Sequence, residues 1–399
     1  MRMFFPLIFA ASMIFLLGLF EVVLLRFLNR DWWRIRYIRL AAWGLPIFGT
    51  AMVVVWGVGE YNAKDWLAYP GAILAVGTFV LEISLMLSLP LSGLIHTVHN
   101  LIDRIAKRAK PEATKAVDTR RRVFLKGFAA ALPVITTSAG VAGVARAFSE
   151  IRLREMSFSF DNLPPDLEGF KILHLSDLHL SHYVKLDDLT DVLERAQAVK
   201  PDLVMLTGDV ADRLNLLPEA LNLITQLGAP YGAFASLGNH EYYRGIVEVK
   251  KAFDRSPVPL LVNSSVNVKV GAANVTIGGL DDPLRMGRKD NEFFRRCLGE
   301  TLDQQTPRDF TLVMSHRPDA LDEAAAIDID LVFSGHTHGG QIGFSGRSVF
   351  DSVWPDRYLW GHYRMGRTQL YTSAGMGHWF PFRLGCPSEA PMIELRKEA

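Results

Sequence analysis

Five short apolar runs in the second half of the sequence each end on residue types that bind metal ions. "ILHLS" ends on Asp177 and His179, "LVMLT" on Gly208-Asp209, and "AFASL" on Gly238-Asn239-His240. "FTLVMS" ends on His316, and "IDLVFS" on Gly335-His336-Thr337-His338. A buried core rarely accepts an unpaired carboxylate, so such endings need a reason. Taken singly, each has a plain one: Asp caps turns, and Asn after Gly suits a left-handed turn. Taken together they do not, because the chain holds 11 histidines and five of them stand at these ends. Carboxylate, imidazole and amide oxygen in one place suit a borderline divalent cation such as Mn, Fe, Zn or Co.

Elements must bring these ends together. In open α/β sheets, ligands bind outside the carboxyl ends of the strands. The pattern predicts a strand at "MSFSF" and a helix over about Leu186–Val199 with Leu189, Leu193 and Ala196 on one face. Further helices are expected near Pro218–Leu227, Ile246–Asp254 and Asn291–Leu302, with a short one after Pro318. "PLLVNSSVNVKVGAANVTIGGL" reads as hairpin-rich, and "TQLYTSA" and "PMIELR" as closing strands. Alternating strands and helices joined to hairpins give sheets covered by helices. No internal repeat or low-complexity segment interrupts them.

The first 150 residues differ in texture. Residues 1–150 carry 17 Lys and Arg against 9 Asp and Glu, a balance of +8; the remainder carries 26 against 33. The acidic second half gives no reason to propose a nucleic-acid partner. The basic half is also the apolar one, which points to a membrane. Apolar runs at about residues 4–25, 40–58, 66–91 and 127–148 are each long enough to cross a hydrocarbon core about 30 Å thick. The expected organisation is a membrane region over 1–150 and a catalytic domain over 151–399. Glu82, inside the third run, is expected to face the bundle or to snorkel. Arg26, Arg30, Arg34, Arg36 and Arg39 place the first connection in the cytoplasm. Residues 96–126 are basic again, so four crossings put everything after about 150 outside. Arg121-Arg122-Val123-Phe124-Leu125-Lys126 resembles the twin-arginine export signal, a receptor-read address; it also reads as the basic flank of an ordinary membrane helix. Cleavage near "GVARAF", which would release the second half, is a further possibility. Cys297 and Cys386 fit no zinc spacing and are expected to be free, buried thiols.

The ordered set Asp177-x-His179, Gly208-Asp209-x-x-Asp212, Gly238-Asn239-His240-Glu241, His316 and Gly335-His336-x-His338 resembles the calcineurin-like metallophosphoesterases, over about residues 170–399. The tail "RLGCPSEAPMIELR" and the membrane layout resemble its exported or membrane-bound bacterial branch, which includes UDP-2,3-diacylglucosamine pyrophosphatase-like phosphodiesterases. The resemblance implies a four-layer α/β/β/α sandwich after an all-α bundle of about four transmembrane helices. It also implies two divalent metal ions. Asp177, His179 and His338 would hold one, Asn239, His316 and His336 the other, and Asp209 would bridge them. Such a pair can hold a bridging hydroxide for in-line attack on a phosphate ester. His240 would contact the phosphate and assist the leaving group. Asp212 and Glu241 would orient an imidazole or a backbone loop, and Gly208, Gly238 and Gly335 would let the backbone turn sharply.

The implied activity is a membrane-anchored phosphodiesterase in a bacterial inner membrane, its catalytic domain extracytoplasmic. A lipid-linked pyrophosphatase of the UDP-2,3-diacylglucosamine type is an alternative; its substrate is made on the cytoplasmic side, against the expected topology. A non-catalytic sensor is another, though no ligand type is missing. The segment Val349–Phe382 is rich in aromatics (Phe350, Trp354, Tyr358, Trp360, Tyr363, Trp379, Phe380, Phe382) and in arginines (Arg357, Arg364, Arg367), with Arg347 and Arg383 flanking it. It reads either as a packed sheet with snorkelling arginines or as a rim for a lipid-linked phosphate ester. The sequence carries no signal for an oligomeric state.

Overall fold

Residues with apolar side chains all round a helix are suited to lipid rather than to a one-sided core. The long helices of the first unit are mainly of this kind: α1 (Phe4–Phe27), and, after the short, half-charged α2 (Arg30–Trp33), α3 (Arg36–Tyr61), α4 (Asp65–Ala109) and α5 (Lys115–Ala147). Four of them are long and apolar enough to cross a membrane, over Leu7–Phe27, Arg36–Tyr61, Asp65–Ile102 and Val123–Ala147. Outward-facing Leu16, Val54, Leu87 and Val134 are exposed on all four. Glu82 is fully buried within the unit, so it faces the bundle and does not snorkel. Two helices exceed the apolar runs: α4 passes Pro90 and continues to Ala109, and α5 begins at Lys115. Hydropathy marks the part of a helix suited to lipid. The flanking Leu, Lys, Arg and Ala are good helix formers and carry it further.

The computed structural model describes residues 4–109, 115–284, 290–302, 308–378 and 380–398. Within α5 the side chains of Arg121 and Arg122 lie outside the described residues, as does Trp379. By contact density the chain divides into Met1–Ala145 and Arg146–Ala399.

The second unit runs β1 (Arg152–Phe160), β2 (Lys171–Ser176), α6 (Leu186–Val199), β3 (Leu203–Thr207), α7 (Leu217–Gln226), β4 (Ala233–Ser236), α8 (Asn239–Arg244) and α9 (Ile246–Asp254). It continues through β5 (Ser264–Val270), β6 (Ala273–Gly279), α10 (Asn291–Thr301), β7 (Phe310–Met314), α11 (Leu321–Ala325) and β8 (Leu331–Ser334). The hairpin β9 (Gly343–Phe344) and β10 (Arg347–Ser348), then β11 (Gly361–Met365), β12 (Thr368–Thr372) and β13 (Glu389–Lys397) complete it.

Two large sheets form, in the orders β1-β13-β2-β3-β4 and β11-β12-β8-β7-β6-β5, beside the two-stranded β10-β9. The strands β2, β3, β7 and β8 are buried at nearly every position because both faces are covered. Between the sheets pack Ile172, Leu203, Met205, Ile277, Leu312 and Phe333. Outside the first sheet, Leu175, Leu206 and Ala235 meet the apolar stripes of α6, α7 and α9. Outside the second, Val313, Val332 and Leu370 meet α10 and α11. The result is the expected four-layer α/β/β/α sandwich. The antiparallel β5 and β6 are the expected hairpin. Cys297 and Cys386 are buried and free.

Candidate functional site

The five strand ends belong to different sheets. β2, β3 and β4 come from one, and β7 and β8 from the other. Their carboxyl ends point the same way, so the loops after them meet. All eight residues singled out in the sequence lie there. Asp177, His179 and His338 offer ligand atoms within 4.8 Å of one another, as do Asp209, His316 and His336, and again His179, Asp209 and His240. Asn239 lines the same cleft of about 440 Å³, with His240, Tyr243, Arg317 and Gln341.

The backbone is bent to achieve this. Asp177 (φ +52°), His179 (+46°), Asp209 (+52°), His336 (+67°) and His338 (+48°) are all left-handed. Such values are uncommon outside Gly and cluster at functional sites. Gly208 shares the conformation at φ +67°. Gly238 and Gly335 do not, which corrects the reading of all three as sharp turns. They are needed for close approach: a Cβ on Gly335 would lie 2.0 Å from Oδ2 of Asp177, and one on Gly238 2.3 Å from Oδ1 of Asp209.

Distances within the cluster are short. His338 Nε2 lies 3.4 Å from Asp177 Oδ1, and His316 Nε2 3.1 Å from Asp209 Oδ2. The Nε2 atoms of His179 and His338 approach to 3.2 Å. Around them a supporting set fixes the rings. His316 Nδ1 donates to the carbonyl of Thr207 at 3.0 Å, leaving Nε2 to face the carboxylates. Asp212 accepts from His240 Nδ1 at 2.6 Å, from His179 Nδ1 at 3.3 Å and from Arg244 Nε at 3.0 Å. Glu241 accepts from the backbone N–H groups of Asp209, Val210 and Gly238 at 2.9, 2.8 and 2.8 Å. Asp177 accepts from the His336 N–H at 3.0 Å and from the Ser176 hydroxyl.

Electrostatics follow from burial and from these neighbours. Burial pushes the Asp209 carboxyl up, but His316, His179 and His240 outweigh it and hold it well below the usual carboxylate range. Burial pulls His316 down, and the Asp209 and Asp177 carboxylates overcome it to push the imidazole up to about 10. His336 and His338 are driven far down, first by burial, then by neighbouring His316 and Arg317 in one case and His179 and Arg383 in the other. A neutral imidazole is the form that binds a metal. The residues fit divalent cations on a second ground: Oδ1 of buried Asn239 has no hydrogen-bond partner among the described residues.

Sequence reasoning misses Arg317. Snorkelling, one of the two readings given for the arginines of the aromatic segment, does not hold for Arg383, which is fully buried. Its Nη1 donates to the Ala374 carbonyl and its Nη2 to that of Gly377, both at 2.6 Å, and Nη2 lies 3.2 Å from His338 Nδ1. Arg317 is held by Asp282 at 2.8 and 3.2 Å, and its Nη1 lies 3.0 Å from His336 Nε2. Its only sequence signal is adjacency to His316. The segment Val349–Phe382 has both characters. Trp360 is buried and donates to Glu389 at 2.9 Å, whereas Trp354 is 53% exposed.

Comparison with known proteins agrees with this geometry. Residues 170–340 match the calcineurin-like phosphoesterase family. The chain is 32% identical over 287 residues to the uncharacterized metallophosphoesterase YkuE of Bacillus subtilis (strain 168), covering 69% of this chain and 97% of that one. It is 30% identical over 285 residues to phosphodiesterase YaeI of Escherichia coli (strain K12), covering 69% and 98%. A transmembrane protein with metallophosphoesterase domain from Bos taurus is 28% identical over 296 residues, covering 71% and 65%. Motif order, sheet architecture and these relatives converge on one conclusion: the chain belongs to the calcineurin-like phosphoesterases, metal-dependent hydrolases of phosphate esters.

Proposed function

We propose that the chain is a membrane-anchored phosphodiesterase working with two divalent cations. Asp177, His179 and His338 would hold one; Asn239, His316 and His336 would hold the other; Asp209 would serve both. When bound, the cations supply a nucleophilic water at neutral pH and neutralise phosphate oxygens. The chain's own residues do the rest. Asp212 accepts from Nδ1–H of His240, so that in the imidazolium form the ring carries its second proton on Nε2, for the departing ester oxygen. Glu241 fixes the loop that carries Asp209. Arg317, braced by Asp282, adds positive charge to the wall of the cleft. The observation that carries the reading is the convergence of two three-residue ligand groups beside His240.

The test is a paired measurement on the full chain in detergent: bound metal by elemental analysis and hydrolysis of bis-p-nitrophenyl phosphate. About two metals per chain are expected, with turnover and metal content both lost in Asp209→Asn. Full metal content and activity in that variant would sink the reading.

Anchoring in a bacterial inner membrane, with residues after about 150 outside, is supported by the four candidate spans and by arginines in the connection after α1. Export by the twin-arginine route is supported by Arg121-Arg122-Val123-Phe124-Leu125-Lys126. Exposed apolar side chains near the cleft favour an amphiphilic, lipid-linked ester over a wholly polar one.

A further inference from the structure

A second cleft of about 440 Å³ adjoins the metal-site cleft and shares Arg317, His336 and Thr337 with it. Its far end is formed by Trp354, Leu359 and Arg357, the last in an ion pair with Asp319 at 3.7 Å. One end is therefore cationic and next to the candidate metal ligands, and the other presents apolar Trp354 and Leu359, with the charge of Arg357 matched by Asp319. The apolar end does not stop at the cleft. Trp354 is 53% exposed, its neighbour Val353 63%, and Val349 in the same turn 44%. The turn is ordered by its own bonds, from the N–H groups of Val353 and Trp354 to the Phe350 carbonyl, both at 2.9 Å. Trp354 packs on Phe350 with ring centroids 5.7 Å apart. Exposed aromatic and aliphatic groups gathered beside a site mark a binding surface.

We propose that this second cleft is the subsite for the aliphatic arm of a phosphodiester, with Arg317 near the phosphate and Trp354 and Val353 on the chain. The proposal rests on the phosphodiesterase reading of the metal site. An aliphatic ligand suits valines, which offer nothing to the edges of a nucleobase. The same chain carries four helices of membrane length, which would keep it where amphiphilic esters are concentrated.

Three p-nitrophenyl esters with one leaving group test it: p-nitrophenyl methyl phosphate, p-nitrophenyl dodecyl phosphate below its micellar concentration, and thymidine 5′-p-nitrophenyl phosphate. The full chain in detergent, with Mn²⁺, is expected to favour the dodecyl over the methyl ester by about tenfold or more in kcat/KM, since each buried methylene is worth about fourfold. Trp354→Ala and Val353→Asp should reduce that ratio at least five-fold through KM, and Trp354→Phe should keep it. A ratio cancels any loss of folded protein. Equal use of both alkyl esters, an unchanged ratio in the variants, or preference for the thymidine ester would overturn the subsite while leaving the phosphodiesterase reading intact. Hydrolysis of none of the three would overturn both.

Discussion

His179 and His240 share one carboxylate, Asp212, although the proposed tasks of the two rings differ: one holds metal, the other serves the leaving group. That arrangement separates two kinds of loss. His240→Asn removes a proton donor without removing a ligand. Turnover should fall about 10²–10⁴-fold, while elemental analysis finds the metal content of the parent. Asp212→Asn disturbs both rings at once. It should cost about 10–100-fold in metal affinity or activity, read by titrating activity with Mn²⁺ in parent and variant. The ligand-type residues were legible because Asp, His and Asn at the ends of apolar runs contradict burial unless they are matched by charge. Arg317 and Arg383 were not. An arginine whose donors go to backbone carbonyls, as in Arg383, or to a distant carboxylate, as in Arg317, has no repeating pattern in the sequence, and its burial becomes visible only in three dimensions.

At the scale of elements, the loops after the strands carry most of the precision. Glu241 accepts from three backbone N–H groups in a fully buried place. Glu241→Gln exchanges one acceptor oxygen for a donor facing another donor. The expected cost is about 1–3 kcal/mol, seen as a lower thermal midpoint. Gly335→Ala places a methyl against Ser176 Oγ and Asp177 Oδ2. Overpacking of this kind costs on the order of 1–3 kcal/mol, and it should weaken metal binding as well, because Asp177 has to move. Strand and helix positions were legible from period and burial: the helix expected over Leu186–Val199 is α6, and both faces of β3 are buried as an unbroken apolar run requires. The true lengths of α4 and α5 were not, because the hydropathy that marks a span says nothing about polar helix formers beyond it. Nor was the division of the five strand ends between two sheets, since pairing partners far apart in sequence leave no local trace.

Taken as a whole, the molecule joins a helical unit and a sandwich with different surfaces, and each can be questioned separately. An alkaline-phosphatase fusion after residue 155 is expected to be active; an inactive one would refute the proposed orientation. For the sandwich, stripping divalent cations with a chelator should lower its stability by about 3 kcal/mol for each cation lost, relative to protein at a free metal concentration about 100 times Kd, measured as a shift in thermal midpoint. The reason for that coupling lies in the strand ends. β2, β3 and β4 bring Asp177, His179, Asp209 and Asn239 from one sheet, and β7 and β8 bring His316, His336 and His338 from the other. Each proposed cation therefore takes donors from both halves of the sandwich and acts as a clasp across its mouth. Far from that mouth the sheets are joined by packing and by hydrogen bonds such as that from Gln369 to the Ser159 carbonyl at 2.7 Å; at it, the buried like-charged carboxylates of Asp177 and Asp209 stand together on the first sheet, against imidazoles from the second. A chain starved of metal should then open first at the active end, with amide exchange fastest in the loops after β2 and β8, and close again, without refolding of the core, as soon as metal is supplied.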